Sequence, residues 1–247
     1  MHGGVNVYRG GPAAARNYLE ADRSRADDYY LAEGTGVARR FPAGPDAPVP
    51  NSRAGDRCEA WVAGLDPHTG ERRGRLRGDA SAVRFFEVTI NGPKSWSLAA
   101  ELHTDVATAY EAAQDRSAAQ VIGWLAARAT TRVGPRGAQV AVPVDRIEAV
   151  TVRHYTSRAG DPHRHLHLQV NARVFAAGKW RGLKTVAVRD SIHAINGIGH
   201  AAVACDPEFR AALAGHGYTL NPDGEIEQLA QFRGPVLSTR GADRHQH

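Results

Sequence analysis

Within residues 165–175 polar and apolar side chains alternate as far as Val174: His165, His167, Gln169, Asn171 and Arg173 on one phase, Leu166, Leu168, Val170, Ala172 and Val174 on the other. A period of two belongs to an extended strand and places the polar set on one face. Same-face neighbours stand about 6.6 Å apart, a gap that two imidazoles can bend across to share one metal ion with bonds of about 2.0–2.1 Å. His165 and His167 therefore form a candidate two-ligand unit. A strand expected over residues 146–155 ends near His154 and, if it pairs with the first, brings a third imidazole alongside. Three neutral imidazoles leave a divalent charge uncompensated and coordination positions open, which suits catalysis more than a closed structural site. Spacing alone does not select that reading. The chain has 12 histidines, the pairs His163/His165 and His245/His247 repeat the pattern, and ordinary histidines on a polar sheet face would satisfy it equally.

Residues 83–90 are rich in β-branched and aromatic side chains and read as another strand. Residues 97–128 carry apolar positions near helical spacing, as one long helix or a broken pair. A further strand is expected over 139–144. Asp190 is placed to cap a helix over 191–204, and a short helix over 209–214 would close at Gly215 or Gly217. Towards the N-terminus, residues 11–25 read as a short helix, followed by a turn or second helical piece. Residues 41–57 are dense in Pro and Gly and read as a loop. After a turn at 66–70 comes a basic stretch, Arg72, Arg73, Arg75 and Arg77, either a solvated surface or a phosphate-facing edge. With no βαβ rhythm and no internal repeat, the expected class is α+β: a mainly antiparallel central sheet flanked by helices.

With 247 residues, 42% of them hydrophobic, the chain can bury a real core. Its longest apolar runs, 121–127 and 141–144, fall far short of the roughly 20 residues of a membrane helix. The N-terminus lacks a charged segment followed by an apolar one, so a cytoplasmic location is expected. Cys58 and Cys205 are far apart and outside any CxxC context, which argues against a disulfide framework or a thiolate zinc site. The net charge is +5, and arginine far outnumbers lysine. Guanidinium binds phosphate oxygens in a fork, so this balance leans towards a phosphate-bearing partner.

The segment His154-Tyr-Thr-Ser-Arg-Ala-Gly-Asp-Pro-His-Arg-His165-Leu-His167 resembles the metal motif of the conjugative relaxases of the TrwC/TraI type, the MobF class of the HUH endonucleases. The block Phe85-Phe-Glu-Val-Thr-Ile-Asn-Gly-Pro-Lys-Ser-Trp-Ser-Leu98 resembles the family's Phe-Asp-Leu-Thr-Phe-x-x-Pro-Lys-Ser-Val-Ser-Leu segment. Asp27-Asp-Tyr-Tyr30 resembles its N-terminal tyrosine region, and Gly178-Lys-Trp-Arg-Gly-Leu183 the strand that follows the metal motif. These blocks fall in the family's order over about residues 14–230. The resemblance implies a palm-like HUH relaxase domain over residues 1–235, with a polar, flexible tail over 236–247. It also implies that His154, His165 and His167 bind one divalent cation, Mg, Mn or Zn.

The implied reaction is site- and strand-specific nicking and rejoining of single-stranded DNA at a transfer origin, with or without an adjacent hairpin. A tyrosine oxygen attacks the scissile phosphate to give a 5′-phosphotyrosine. Tyr18 is the expected nucleophile, although Asn17 stands where relatives often carry a second adjacent tyrosine; Tyr29 is the expected second tyrosine and Tyr30 a reserve. Glu87 takes the place of the family's aspartate, either orienting a metal-bound imidazole or accepting the tyrosine proton. Lys94, Arg158, Arg173, Arg181 and Lys184 flank these blocks and are candidate DNA contacts. Trp96, Trp180 and Tyr155 could stack on bases or pack in the core. Relaxosome or secretion-channel proteins are expected partners. No GxxxxGK[ST] loop is present, so no helicase domain is expected. Rival readings are a rolling-circle replication initiator of the same superfamily, a non-catalytic single-strand DNA-binding module, and a three-histidine hydrolase using water.

Overall fold

The alternating segment forms the central strand of an antiparallel sheet. A computed structural model describes residues 5–11, 39–43, 60–61, 63–66, 69–75, 78–157 and 161–232. Almost all of the expected N-terminal helix, Tyr18, Tyr29, Tyr30, Arg158 and the tail 236–247 lie outside the described residues. In chain order the strands are β1 (Val5–Arg9), β2 (Arg39–Ala43), β3 (Val83–Asn91), β4 (Thr130–Val133), β5 (Val140–Pro143), β6 (Ile147–Thr156), β7 (Pro162–Asn171), β8 (Arg173–Ala176) and β9 (Lys179–Gly182). The helices are α1 (Lys94–Leu102), α2 (Thr104–Arg128), α3 (Thr185–Asp190), α4 (Ile192–Ala204) and α5 (Pro207–Gly215), followed by a 3₁₀ turn over Glu227–Phe232. Five strands build the main sheet in the order β1-β3-β7-β6-β2, every pair antiparallel, while β4-β5 and β8-β9 form two separate hairpins. The architecture is α+β, as the sequence implies.

Period-two alternation divides the sheet into an apolar and a polar face. Phe86, Val88 and Ile90 of β3, Leu166, Leu168 and Val170 of β7, and Ile147 and Ala149 of β6 meet Ala118, Val121, Ile122 and Leu125 of α2 and Ile195 of α4 in one core. Fully burying each large aliphatic or aromatic side chain there contributes about 1.5–3 kcal/mol. A second core joins Trp96 of α1, Val106 and Tyr110 of α2, and Phe209 and Leu213 of α5. The expected long helix is the broken pair: His103 is extended at φ −141°, ψ 118°, and its ring stacks on His216 with centres 3.7 Å apart.

Several local expectations shift. The alternating segment is not one strand to Phe175. It breaks at Ala172, whose N–H donates to the Arg84 carbonyl, and the chain turns into the β8-β9 hairpin with its alternation intact. Residues 39–43, expected partly as loop, pair with β6 and put Pro42 opposite Glu148. An edge strand tolerates proline because one side of its ladder needs no donor. Ser191, not Asp190, holds the N-cap position of α4, and Asp190 ends α3 instead. Asp206 caps α5 by accepting from the N–H groups of Glu208 and Phe209. Among the described residues no helix is long and apolar enough to cross a membrane.

The basic stretch is neither surface nor edge at Arg73. This side chain is buried, 3% exposed, and ion-pairs with the fully buried Glu148 on the polar face of β6 and with Asp66 at 2.9 Å. The same Glu148 accepts from the Trp61 indole N–H at 3.0 Å. The pair thus ties residues 60–75 across the far end of the polar face. Removing one partner of a buried pair strands the other charge, at about 3–5 kcal/mol. Arg73→Met is therefore expected to lower the melting temperature by roughly 6–20 °C, read by thermal unfolding, while Glu148→Gln, which keeps an acceptor for the indole, is expected to cost less.

Candidate metal centre

Antiparallel pairing of β6 with β7 sets His154 directly opposite His165, and Val152 opposite His167. All three histidines project from the polar face, as the alternation requires. Their ring centres form a triangle with edges of 5.2 Å (His154–His165), 4.6 Å (His154–His167) and 5.0 Å (His165–His167). Rings sharing one ion through bonds of about 2.0–2.1 Å at near-tetrahedral angles would stand with centres roughly 5 Å apart, so the strand register already supplies the spacing. The donor nitrogens do not converge on one ligating point, and among the described residues no other trio of His, Cys, Asp or Glu does so. Convergence requires rotation of the rings, not movement of the strands.

A hydrogen bond behind one ring and a carboxylate close behind another bear on which nitrogen faces inward. The His165 Nδ1–H donates to the His163 carbonyl at 2.7 Å, leaving Nε2 as the available lone pair. His167 Nδ1 lies 3.0 Å from Glu87 Oε1. Glu87 is buried on β3, where its other oxygen accepts from Gln169 Nε2 at 3.1 Å. Burial, followed by the adjoining imidazoles, pushes His165 down to about 3, so this ring is neutral and able to ligate near neutral pH. Of the two roles open to Glu87, its position matches the orienting one. A partner of this kind commonly contributes 10–100-fold in metal affinity. Glu87→Ala is accordingly expected to weaken Mn²⁺ binding by about that factor in calorimetric titration, with Glu87→Gln, which retains an acceptor oxygen, affected less.

The Pro-Lys-Ser-Trp-Ser block holds this face in place from behind. Ser97 Oγ accepts the Arg164 N–H at 2.9 Å, and the Arg164 carbonyl accepts from Gln114 Nε2 at 3.1 Å and the Tyr110 hydroxyl at 3.3 Å. The Arg164 guanidinium pairs with Glu101 and Glu111 on the helix side. Arg164 is thereby fixed towards the helices, and His163 and His165 on either side of it must face the other way. Ser95 donates to Glu225 and accepts the Ile226 N–H, clamping the segment after α5. Trp96 is wholly buried, so its role is core packing.

Of the expected DNA contacts, Lys94 opens α1 at the same end of the sheet as the triad, its ammonium 3.4 Å from Asp161. Arg173, Arg181 and Lys184 gather elsewhere, in a groove of about 630 Å³ that Arg75 and Arg132 also line and, among the described residues, no carboxylate does. Arg173 lies beyond the break at Ala172, on β8 and not on β7 with the triad. Its guanidinium donates to the carbonyls of Arg73 and Trp180, which makes it chiefly a brace for the groove wall. Arg75 belongs to the basic stretch seen in the sequence, whereas Arg132 lies in β4, a strand the sequence did not signal although its hairpin partner β5 was expected. Trp180 is sandwiched by Arg73 at 4.3 Å and Arg146 at 4.9 Å. A larger depression, about 800 Å³, lies on the opposite, helix side and includes Tyr155; Glu101, Glu111 and Asp115 there pair with Arg164 and Arg153, and it does not reach the triad.

The family model described as TrwC relaxase matches residues 12–246. Among solved structures, the copper-bound conjugative relaxase TrwC in complex with oriT DNA superposes with a TM-score of 0.63 at 24% identity, over 90% of this chain and 74% of that one. The metal-bound complex with oriT DNA gives a TM-score of 0.62 at 22% identity over 90% and 74%. TrwC with a 27-mer DNA comprising the recognition hairpin and the cleavage site gives 0.57 at 24% over 90% and 73%. At these identities the likeness establishes a common fold. No curated protein matches the chain.

Proposed function

Since the chain belongs to the TrwC relaxase family, whose enzymes nick DNA, we propose that it nicks and rejoins one strand at the transfer origin of a plasmid or integrative element through a 5′-phosphotyrosine. The observation that carries the reading is the triangle of His154, His165 and His167 with Glu87 behind His167. That the superposing TrwC structures are metal-bound and hold oriT DNA supports a divalent ion at this triangle and a DNA strand across it.

His154, His165 and His167 would hold a divalent ion, which would supply a Lewis acid for a non-bridging oxygen of the scissile phosphate. Glu87 fixes the His167 ring, and the His163 carbonyl fixes His165. The tyrosine oxygen forms a bond to phosphorus as the bond to the 3′-oxygen breaks; the phenol gives up its proton and the departing 3′-oxygen gains one. One phosphodiester replaces another, so the step is reversible and consumes no nucleotide. Arg75, Arg132, Arg181 and Lys184 offer a charged path for DNA backbone away from the nick. Relaxosome or secretion-channel proteins in the cytoplasm are its proposed protein partners.

The test is relaxation of a supercoiled plasmid carrying the element's own transfer region, with Mg²⁺ or Mn²⁺. The expected product is a metal-dependent population of nicked circles, broken in one strand at one site and resealed on prolonged incubation. Relaxation that survives removal of metal by chelation, or that ignores the origin sequence, overturns the proposal.

A further inference from the structure

The polar face of β7 carries three histidines at alternate positions, and the triangle uses only two of them. His163 is the third, its ring centre 5.0 Å from that of His165 and tilted by 37°. Its backbone carbonyl serves the triad by accepting from His165, while its ring has no such task. It lies four positions before His167, about 13 Å along a strand, too far for both to bind one ion. Among the described residues its ring nitrogens have no hydrogen-bond partner, and the ring is half-buried. Lys94 opens α1 three residues after Asn91, which pairs with His165 across β3 and β7, and it is tethered at 3.4 Å to Asp161, two positions before His163.

We propose that His163 and Lys94 together bind the phosphate adjacent to the scissile one, an inference that rests on the relaxase reading. His163 stands one same-face step, about 6.6 Å, from His165, comparable to the spacing of consecutive phosphates in an extended single strand. An imidazole N–H and an ammonium offer two donors to one phosphate. Asp161 is the one carboxylate in contact with Lys94 among the described residues; it holds the ammonium in place until a phosphate displaces it. The two donors place the strand so that the next phosphate falls on the triangle. This is a positioning site beside the triad, and neither His163 nor Lys94 lines the basic groove.

The experiment measures DNA affinity by fluorescence anisotropy and the single-turnover nicking rate with Mn²⁺, for wild type, His163→Ala, Lys94→Ala and Asp161→Asn. The probe is a single-stranded oligonucleotide spanning the mapped nick. Two further versions carry a neutral methylphosphonate in place of the phosphate on one or the other side of the scissile one. His163→Ala and Lys94→Ala should each weaken the unmodified probe about tenfold, and Asp161→Asn should tighten it. One methylphosphonate probe should bind wild type and the two weakened variants alike, because the contact they lack is already gone. His163→Gln, which restores an N–H donor, should recover part of the affinity at an unchanged melting temperature.

If the losses multiply with both modified probes, His163 does not hold either phosphate and the inference fails. It also fails if His163→Ala lowers Mn²⁺ affinity in the absence of DNA, since the ring would then be serving the triad. Absence of nicking by the wild type overturns the relaxase reading itself.

Discussion

Replacing His165 with alanine is expected to eliminate tight divalent-metal binding and to lower the nicking rate at least about a thousandfold, with the fold retained. His165 stands opposite His154 across the β6-β7 pairing and forms two edges of the triangle, so no neighbouring ring can substitute for it. A Lewis acid on the phosphate lowers the barrier by several kcal/mol, and each 1.36 kcal/mol is tenfold in rate. The fold should survive because the ring projects from the polar face, away from the side chains of β3, β7 and α2 that make the core. Circular dichroism and calorimetric Mn²⁺ titration check the two halves of the prediction. A variant that still binds the ion at wild-type affinity would remove His165 from the ligand set.

Tyr18→Phe is expected to abolish the covalent protein–DNA adduct completely while single-strand binding stays within about twofold. Phenylalanine preserves the ring but has no oxygen to bond to phosphorus. A phenol with a pKa near 10 is only weakly ionised at neutral pH, so its attack depends on a proton acceptor and on stabilised phosphate charge, and a nearby water cannot inherit that arrangement. Tyr29→Phe should leave the first adduct intact and block a second strand transfer, read with a second cleavable oligonucleotide, while Tyr30→Phe should change neither. An adduct that persists in Tyr18→Phe and disappears in Tyr29→Phe would reverse the assignment, which rests on sequence because these tyrosines lie outside the described residues.

Local patterns revealed the sheet because a strand with one apolar face must alternate. β7 was legible in this way and β3 by its β-branched and aromatic content; with β6, also expected as a strand, they carry Glu87 and the three histidines. Less visible were features decided by residues far apart in sequence. Arg73 looks like one more cation in a basic run; only the fold shows that Glu148, 75 positions later, draws it into the interior. The break at Ala172 is silent because β8 continues the same period, and the chain turns where the Ala172 N–H finds the Arg84 carbonyl. His163 was seen only as another match to a His-x-His spacing. Its place beside the triad follows from Ser97 and the helix-side carboxylates fixing Arg164, a constraint spread over three elements.

The chemistry itself is tested most directly by denaturing electrophoresis and mass spectrometry of the wild-type chain. It would be incubated with Mn²⁺ and an oligonucleotide spanning its nick, labelled at either end. The account predicts a detergent-resistant species whose mass equals the protein plus the 3′-side DNA fragment, a released 5′-side fragment ending in a free 3′-hydroxyl, and a modified peptide containing Tyr18. Metal-dependent cleavage at the same site into two free DNA fragments, one with a 5′-phosphate and no protein attached, would mean that water is the nucleophile and would contradict it.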